Sequence, residues 1–183
     1  MSEEIKPKIL MQICCVGCGV FVVDELKNDF DEIVLYFYNP NIWPSTEYDR
    51  RLEEAKKIAE KFHYEIIIAE NNHSEWLGMV KGLEGEPEKG KRCLVCYHDR
   101  LEATAQKAKE LGFDYFGTTL TTSPHKDAVI ISEMGLALEN KYNIKYLDRD
   151  FKKGDGFKKS CQITKELNLY RQTYCGCEFS IRK

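Results

Sequence analysis

The residues that could do chemistry are cysteines. The chain carries eight in 183 residues, and they are grouped: Cys14, Cys15 and Cys18; Cys93 and Cys96; Cys161; Cys175 and Cys177. In a reducing compartment disulfides do not persist as structural staples, so grouped thiols there bind metal or do redox chemistry. A C-x-x-C pair at a turn or helix start can hold one metal centre with both sulfurs. The free N–H groups of such a helix start favour thiolates. Four thiolates suit tetrahedral zinc or a [4Fe–4S] cluster. The 77 residues between Cys15 and Cys93 are many for a zinc ribbon, whose second pair follows roughly 15 to 20 residues on. A redox cluster at an active edge suits the wide gap better.

Cys175-Gly176-Cys177 is a different object. In an extended strand, residues i and i+2 share a face at about 6.5 to 7 Å, near or beyond disulfide reach. Gly176 lets the backbone fold sharply and bring the two sulfurs together. A bond formed there would be strained, and strained disulfides are the labile, redox-active kind. A metal-binding pair or two free thiols are the other readings. Cys161 sits singly on a helix and reads as core rather than ligand.

The rest of the chain must position these groups. Lys8–Cys14, Glu32–Tyr38, Tyr64–Ala69 and Asp114–Leu120 read as buried strands, and Ile144–Leu147 as a short fifth. Helices are expected over Val16–Leu26, Thr46–Phe62, Trp76–Leu83, Leu94–Leu111, Asp127–Glu139 and Ser160–Leu169. Their apolar residues recur at steps of three and four, as in Tyr48, Leu52, Ala55, Ala59 and Phe62. Continuous apolar strands alternating with helices predict an α/β fold, a mainly parallel sheet with helices on both faces. Such folds bind ligands at the carboxyl ends of the strands. Cys14 and Cys15, Asn39 and Asn41, and Thr118–Thr122 would meet at that edge. In an ideal unit the helix start bearing Cys93 and Cys96 is expected to lie away from it, with the charged loop Glu84–Arg92 bringing it back.

No G-x-x-x-x-G-K-[ST] or G-x-G-x-x-G phosphate loop is present. Of the four histidines, only His125 is a candidate for function; His63, His73 and His98 read as surface or helix-face residues. Apolar residues make up 43% and charged residues 31%, with net charge −3. This fits a globular chain and excludes a strongly basic nucleic-acid clamp. No apolar run approaches a membrane span. Met1–Lys8 is neither a signal nor a transit peptide, so a cytoplasmic protein is expected. Charge is uneven: residues 141–183 carry eleven Lys and Arg against five Asp and Glu. This basic extension, with Tyr170, Arg171, Tyr174 and Arg182, can contact phosphates and stack on a base, or be a solvated face. The whole is expected to be one domain over 1–183, with 141–183 packed on it.

Five segments carry a resemblance: MQICCVGC at 11–18, FYNPNIWPSTEY at 37–48, RCLVCYHDRLEATA at 92–105, TTLTTSPHK at 118–126 and LYRQTYCGCEFS at 169–180. Together, and in order over nearly the whole chain, they resemble the epoxyqueuosine reductase family of the QueH type. The resemblance implies a Rossmann-like, nucleotide α-hydrolase-like fold with cysteines where related folds place phosphate-binding residues. It implies a [4Fe–4S] cluster held by Cys14, Cys15, Cys93 and Cys96, and an additional iron ion with Cys18 a possible ligand. It also implies a redox-active disulfide between Cys175 and Cys177. The implied substrate is the anticodon arm of tRNA carrying epoxyqueuosine, deoxygenated to queuosine with electrons from an external donor. Family members more often read Ala-Pro-Cys-Ser where this chain has Val16-Gly17-Cys18-Gly19.

Loss of an epoxide oxygen as water needs two electrons, two protons and an electrophile at the oxygen. A cluster passes electrons singly and a dithiol stores two. A second iron can polarise the C–O bond; His125 and Tyr48 are candidate proton donors. A tRNA sulfur transferase on a similar fold would need an ATP-binding loop, which the sequence lacks. A zinc-stabilised RNA-binding module without catalysis is the alternative from another class.

Overall fold

The expected runs form the sheet, although the run at 64–69 is a partly exposed edge strand rather than a buried one because it is paired on one side only, and the computed structural model describes residues 6–181. Five parallel strands, β1 (Lys8–Gln12), β2 (Glu32–Phe37), β3 (Glu65–Ile68), β4 (Tyr115–Thr118) and β5 (Lys145–Tyr146), stand in the order β3-β2-β1-β4-β5. Around them lie α1 (Val16–Leu26), α2 (Ser45–Phe62), α3 (His73–Met79), α4 (Lys91–Leu111), α5 (Ala128–Tyr142) and α6 (Gly156–Glu166).

Alternation along the central strand divides the core. Ile9 and Met11 point to a layer built from α1 and α2, with Val20, Val23, Ala55 and Ile58. Leu10, one residue out of phase, packs with Val34, Phe116, Leu101 and Ala105 under α4 and α5. The basic extension adds α6, which lies against α1. That helix starts at Gly156, four residues before the sequence pattern suggests, because Gly156 is itself buried against Phe21 and Phe151.

One expectation is corrected. The start of α4 is at the carboxyl edge, not away from it. A crossover helix runs antiparallel to its strands, so it begins where the preceding strand ends. The loop before α4 is ordered rather than merely long: Arg92, 1% exposed, points Nη1 at the carbonyls of Leu83, Glu84 and Glu86 at 3.1, 2.9 and 2.6 Å.

A buried amide network ties the strand ends under the site. Gln12 donates Nε2 to Asn39 Oδ1 at 3.0 Å and accepts from Thr118 Oγ1 at 2.9 Å. Asn39 donates Nδ2 to the Ile13 carbonyl at 2.9 Å. Every polar atom so engaged is paired, which fixes the register of β2, β1 and β4 where the chain leaves the sheet. Among the described residues no helix is long and apolar enough to cross a membrane.

Candidate metal centre

The first cysteine group caps a helix. Cys15 is the extended residue before α1, and its carbonyl accepts from Cys18 N at 3.3 Å and Gly19 N at 3.1 Å. The turn so closed gathers the sulfurs of Cys14, Cys15 and Cys18 within 4.8 Å of one another, all buried. The Cys14 and Cys15 sulfurs are 3.7 Å apart. Packed this closely, the three divide their protons unevenly. Hydrogen bonds from Cys15 and Cys18 hold Cys14 well below the ordinary thiol value, and Arg100 and Lys126 add positive field. The Cys14 sulfur in turn pushes Cys15 up to about 12.

The second group sits on the first turns of α4. Cys93 accepts a hydrogen bond from Lys89 N at 3.4 Å and faces the same cavity as the first group. Cys96 lies one layer behind, packed with Trp76, Val80 and Cys177, and burial pushes its thiol up to about 12.

The third group arrives on the C-terminal segment. Arg51, 2% exposed, is paired with Glu47 at 2.7 Å and donates to the carbonyls of Cys175 at 2.9 Å and Tyr174 at 3.1 Å. Trp43 N binds the Gly176 carbonyl at 2.9 Å, and Tyr170 N binds Glu54 at 2.9 Å. Gln172 closes the arrangement by donating Nε2 to the Cys15 sulfur at 2.8 Å. Gly176 has φ +140°, and a Cβ there would stand 3.1 to 3.2 Å from Asn41, Arg51 and Ile42. The conformation therefore favours glycine, and a side chain there would also crowd these three neighbours.

The result is one cavity of about 180 Å³ onto which five sulfurs open, those of Cys14, Cys15, Cys18, Cys93 and Cys175. They come from three segments distant in sequence. Cys175 is half-buried and Cys177 fully buried; both are free thiols. Gly176 thus separates two environments, with Cys175 facing the cavity and Cys177 in the apolar layer beside Cys96. Cys161 is half-buried on α6 and does not line the cavity.

Other expected residues divide. His125 lines the cavity. Tyr48 does not: it is in the core, edge-on to Phe37 at 5.3 Å between ring centres. His73 is not a plain surface residue. Its Nδ1 lies 2.7 Å from the Pro40 carbonyl and its Nε2 3.1 Å from Glu178, so it ties the C-terminal turn to α3. Arg171 and Phe157 stand at the cavity mouth, with Lys158 and Lys159 exposed on α6 beside them. Arg182 lies outside the described residues.

Two charged residues escape a reading of cysteine spacing. Lys126 lines the cavity and is 9% exposed. Burial alone would push its ammonium down, but the charge of Cys175, Cys18 and Cys14 outweighs this and its pKa lies above the ordinary value. Arg100, 2% exposed, donates Nε to the Cys96 carbonyl at 3.2 Å and leaves Nη2 without a partner. Burial opposes its charge too, and Cys96 and Cys14 hold it on. The signal was available for Arg100: it follows Cys96 by four residues on an otherwise apolar helix face.

The family model described as epoxyqueuosine reductase QueH matches residues 9–183. The epoxyqueuosine reductase QueH of Streptococcus pyogenes serotype M1 is 41% identical over 99% of this chain and 73% of its own length. That of Thermotoga maritima is 35% identical over 94% of this chain and 90% of its own. Among solved structures, the U34-tRNA thiolase NcsA from Methanococcus maripaludis with its [4Fe-4S] cluster aligns with a TM-score of 0.61 at 15% identity. It covers 98% of this chain and 63% of that one. This likeness shows the fold, which is nucleotide α-hydrolase-like, as the resemblance implies. With the family model spanning nearly every residue and the relatives matched over most of their own length, the chain belongs to the epoxyqueuosine reductase QueH family of oxidoreductases.

Proposed function

We propose that the chain removes the epoxide oxygen of epoxyqueuosine in the anticodon arm of tRNA, releasing it as water and leaving the alkene of queuosine. Two electrons and two protons balance the step, the electrons arriving from an external donor. The observation that carries this reading is the convergence of five sulfurs from three distant segments on one buried cavity. Membership of a reductase family sets aside the zinc module and the sulfur transferase as alternatives.

The donor set fits an iron–sulfur cofactor. Thiolates are its usual ligands, and the unpartnered Nη2 of Arg100 and the buried ammonium of Lys126 supply the positive surroundings an anionic cluster needs. Cys14, Cys15 and Cys93, which line the cavity, would hold a [4Fe–4S] cluster together with Cys96 from the layer behind it. Cys18, gathered with Cys14 and Cys15, is the remaining thiolate at hand for an additional iron. When bound, these groups would supply single electrons and an acid for the departing oxygen.

The chain's own residues do the rest. Arg51, Trp43 and Gln172 hold the C-terminal segment over the cavity, so that Cys175 faces the reacting centre. Cys175 and Cys177 would shuttle between dithiol and disulfide, storing the two electrons one turnover needs. His125, on the cavity wall, would serve as the proton donor. Arg171, packed over the Phe157 ring at 5.9 Å, is placed to meet a phosphate, and a base unstacked from the anticodon loop could enter the cavity beside the pair.

Anaerobic purification followed by iron and acid-labile sulfide analysis, with nucleoside mass spectrometry of tRNA bearing the epoxide, tests the proposal. About four irons with matching sulfide, and loss of one oxygen from the modified base, are expected. Zinc without sulfide, or an unreacted base with fully loaded protein and reductant, would overturn it.

A further inference from the structure

Four arginine and lysine side chains are buried around the sulfurs, and they are not equivalent. Arg51 has a carboxylate partner in Glu47, and Arg92 is solvated by three backbone carbonyls. Glu47 and the carbonyls of Leu83, Glu84 and Glu86 answer most of that charge and order the C-terminal segment and the loop before α4, although Arg92 Nε is itself buried without a partner. Arg100 and Lys126 have no such partners. Among the described residues neither has a carboxylate at salt-bridge distance. Arg100 meets one carbonyl on its own helix and leaves Nη2 unpaired. Among the described residues nothing hydrogen-bonds the Lys126 ammonium; the residue is 9% exposed and lines the cavity.

A buried cation without a counter-charge is strongly unfavourable, so a structure that keeps two of them in one layer supplies an anion there. The anions to hand are sulfurs. Lys126 shares the cavity with Cys14, Cys18 and Cys175. Arg100 comes from the same helix as Cys93 and Cys96, bonded to the Cys96 carbonyl and 5.9 Å over the ring of Tyr97, which lines the cavity. The two cations therefore approach the sulfur layer from different elements, one from α4 and one from the loop that follows β4.

We propose that Arg100 and Lys126 are the counter-charges of the cluster, placed to raise its reduction potential for the deoxygenation step. The inference rests on the cluster reading above. A cubane held by four thiolates is anionic, and each electron it accepts makes it more so. Charge and hydrogen bonding around its sulfurs are among the terms that set the potential. Positive charge nearby favours the reduced form, so the cluster accepts an electron from a weaker donor than it otherwise could. Charges set in the protein wall are screened less by salt than charges on the open surface. Both are positioning residues, acting on the substrate only through the cluster.

The experiment uses full-length protein with reconstituted cluster. Lys126→Met and Arg100→Met are compared with the charge-keeping Lys126→Arg and Arg100→Lys. Iron and sulfide content, the potential from an anaerobic redox titration followed by electron paramagnetic resonance, and kcat and KM for the tRNA are read on each. Each Met variant is expected to show a potential more negative than the parent, with reduced kcat and unchanged KM. The charge-keeping variants are expected to recover most of the shift. Met variants that fail to load iron while the charge-keeping pair load normally would support the same role. Fully loaded Met variants with the parent's potential would overturn it. So would charge-keeping variants that lose iron as readily as the Met variants, since shape and not charge would then matter. Parent protein without iron would instead overturn the cluster reading itself.

Discussion

The side-chain amide of Gln172 reaches the sulfur of Cys15 at 2.8 Å, across 157 residues of sequence. The bond joins the segment that carries Cys175 to the turn that carries the first cysteine group. It also makes the position of that segment sensitive to the state of Cys15. In the metal-free chain the Cys14 sulfur pushes the Cys15 thiol up to about 12, so at neutral pH Gln172 donates to a neutral sulfur. A metal-bound thiolate is a stronger acceptor, and hydrogen bonds to charged groups contribute about 1.5–3 kcal/mol. Cluster loading should therefore slow hydrogen exchange over residues 170–177. Gln172→Leu should remove most of that protection without loss of iron. Equal exchange in loaded and metal-free parent protein would sink the coupling.

Much of this arrangement was legible in the sequence. The parallel sheet followed from continuous apolar strands such as Ile33–Phe37 alternating with amphipathic helices. The meeting of Cys14 and Cys15 with Thr118–Thr122 followed from where those strands end. The edge at which α4 starts is set by the antiparallel run of a crossover helix and not by the length of the loop before it. Other features depend on tertiary contacts that no local pattern encodes. Tyr48 has the periodicity of a core residue and the chemistry of a donor, and only packing against Phe37 chooses between them. The partners of Gln172, His73 and Arg51 lie on segments remote in sequence, so their roles could not be read from spacing.

Asp99 should report its burial through pH. It accepts from the Tyr38 hydroxyl at 3.2 Å with one oxygen, while its other oxygen is buried without a partner. Burial raises its pKa, more than the Tyr38 bond and Arg100 lower it. A carboxyl whose folded pKa is raised contributes stability while protonated. That contribution is full below the ordinary value of about 4 and is lost as pH rises through the folded pKa. Asp99→Asn should therefore be more heat-stable than the parent at pH 7, with the difference shrinking toward pH 4. An unchanged difference across that range would show that the carboxyl's charge is not what burial opposes.

The exposed lysines of α6 should steer tRNA. Lys158 and Lys159 follow Phe157, which lines the cavity mouth, and both are exposed. Each phosphate contact releases a counterion, so the log–log salt dependence of binding should become shallower by roughly 0.7 per lysine removed. Lys158→Ala with Lys159→Ala should weaken tRNA binding and flatten that dependence while the cluster absorption is kept. Lys159 also lies over the Phe21 ring at 5.4 Å, so a melting curve of the double variant separates loss of packing from loss of charge. Unchanged affinity and slope would leave α6 as a solvated face.

Cys175 and Cys177 should differ in reactivity even though one residue separates them. Cys175 is half-buried and opens on the cavity, whereas Cys177 is buried with Trp76, Val80 and Cys96. In reduced, metal-free protein an alkylating agent should modify Cys175 well before Cys177. A disulfide closing so short a loop would constrain the unfolded chain little, so stability gives the pair no purpose that reactivity does not serve better. Cys175→Ser and Cys177→Ser should each keep full iron content and lose deoxygenation of the modified tRNA. Gly176→Ala should act differently. The positive φ and the 3.1 to 3.2 Å approaches to Asn41, Arg51 and Ile42 should destabilise the segment by about 1–3 kcal/mol. Activity should fall with it, while both thiols stay chemically competent. Non-reducing peptide mapping of protein frozen during turnover should find the Cys175–Cys177 bond in the parent and not in either serine variant. Loss of iron in a serine variant would make the pair metal ligands instead, and full activity in both would leave them as inert thiols.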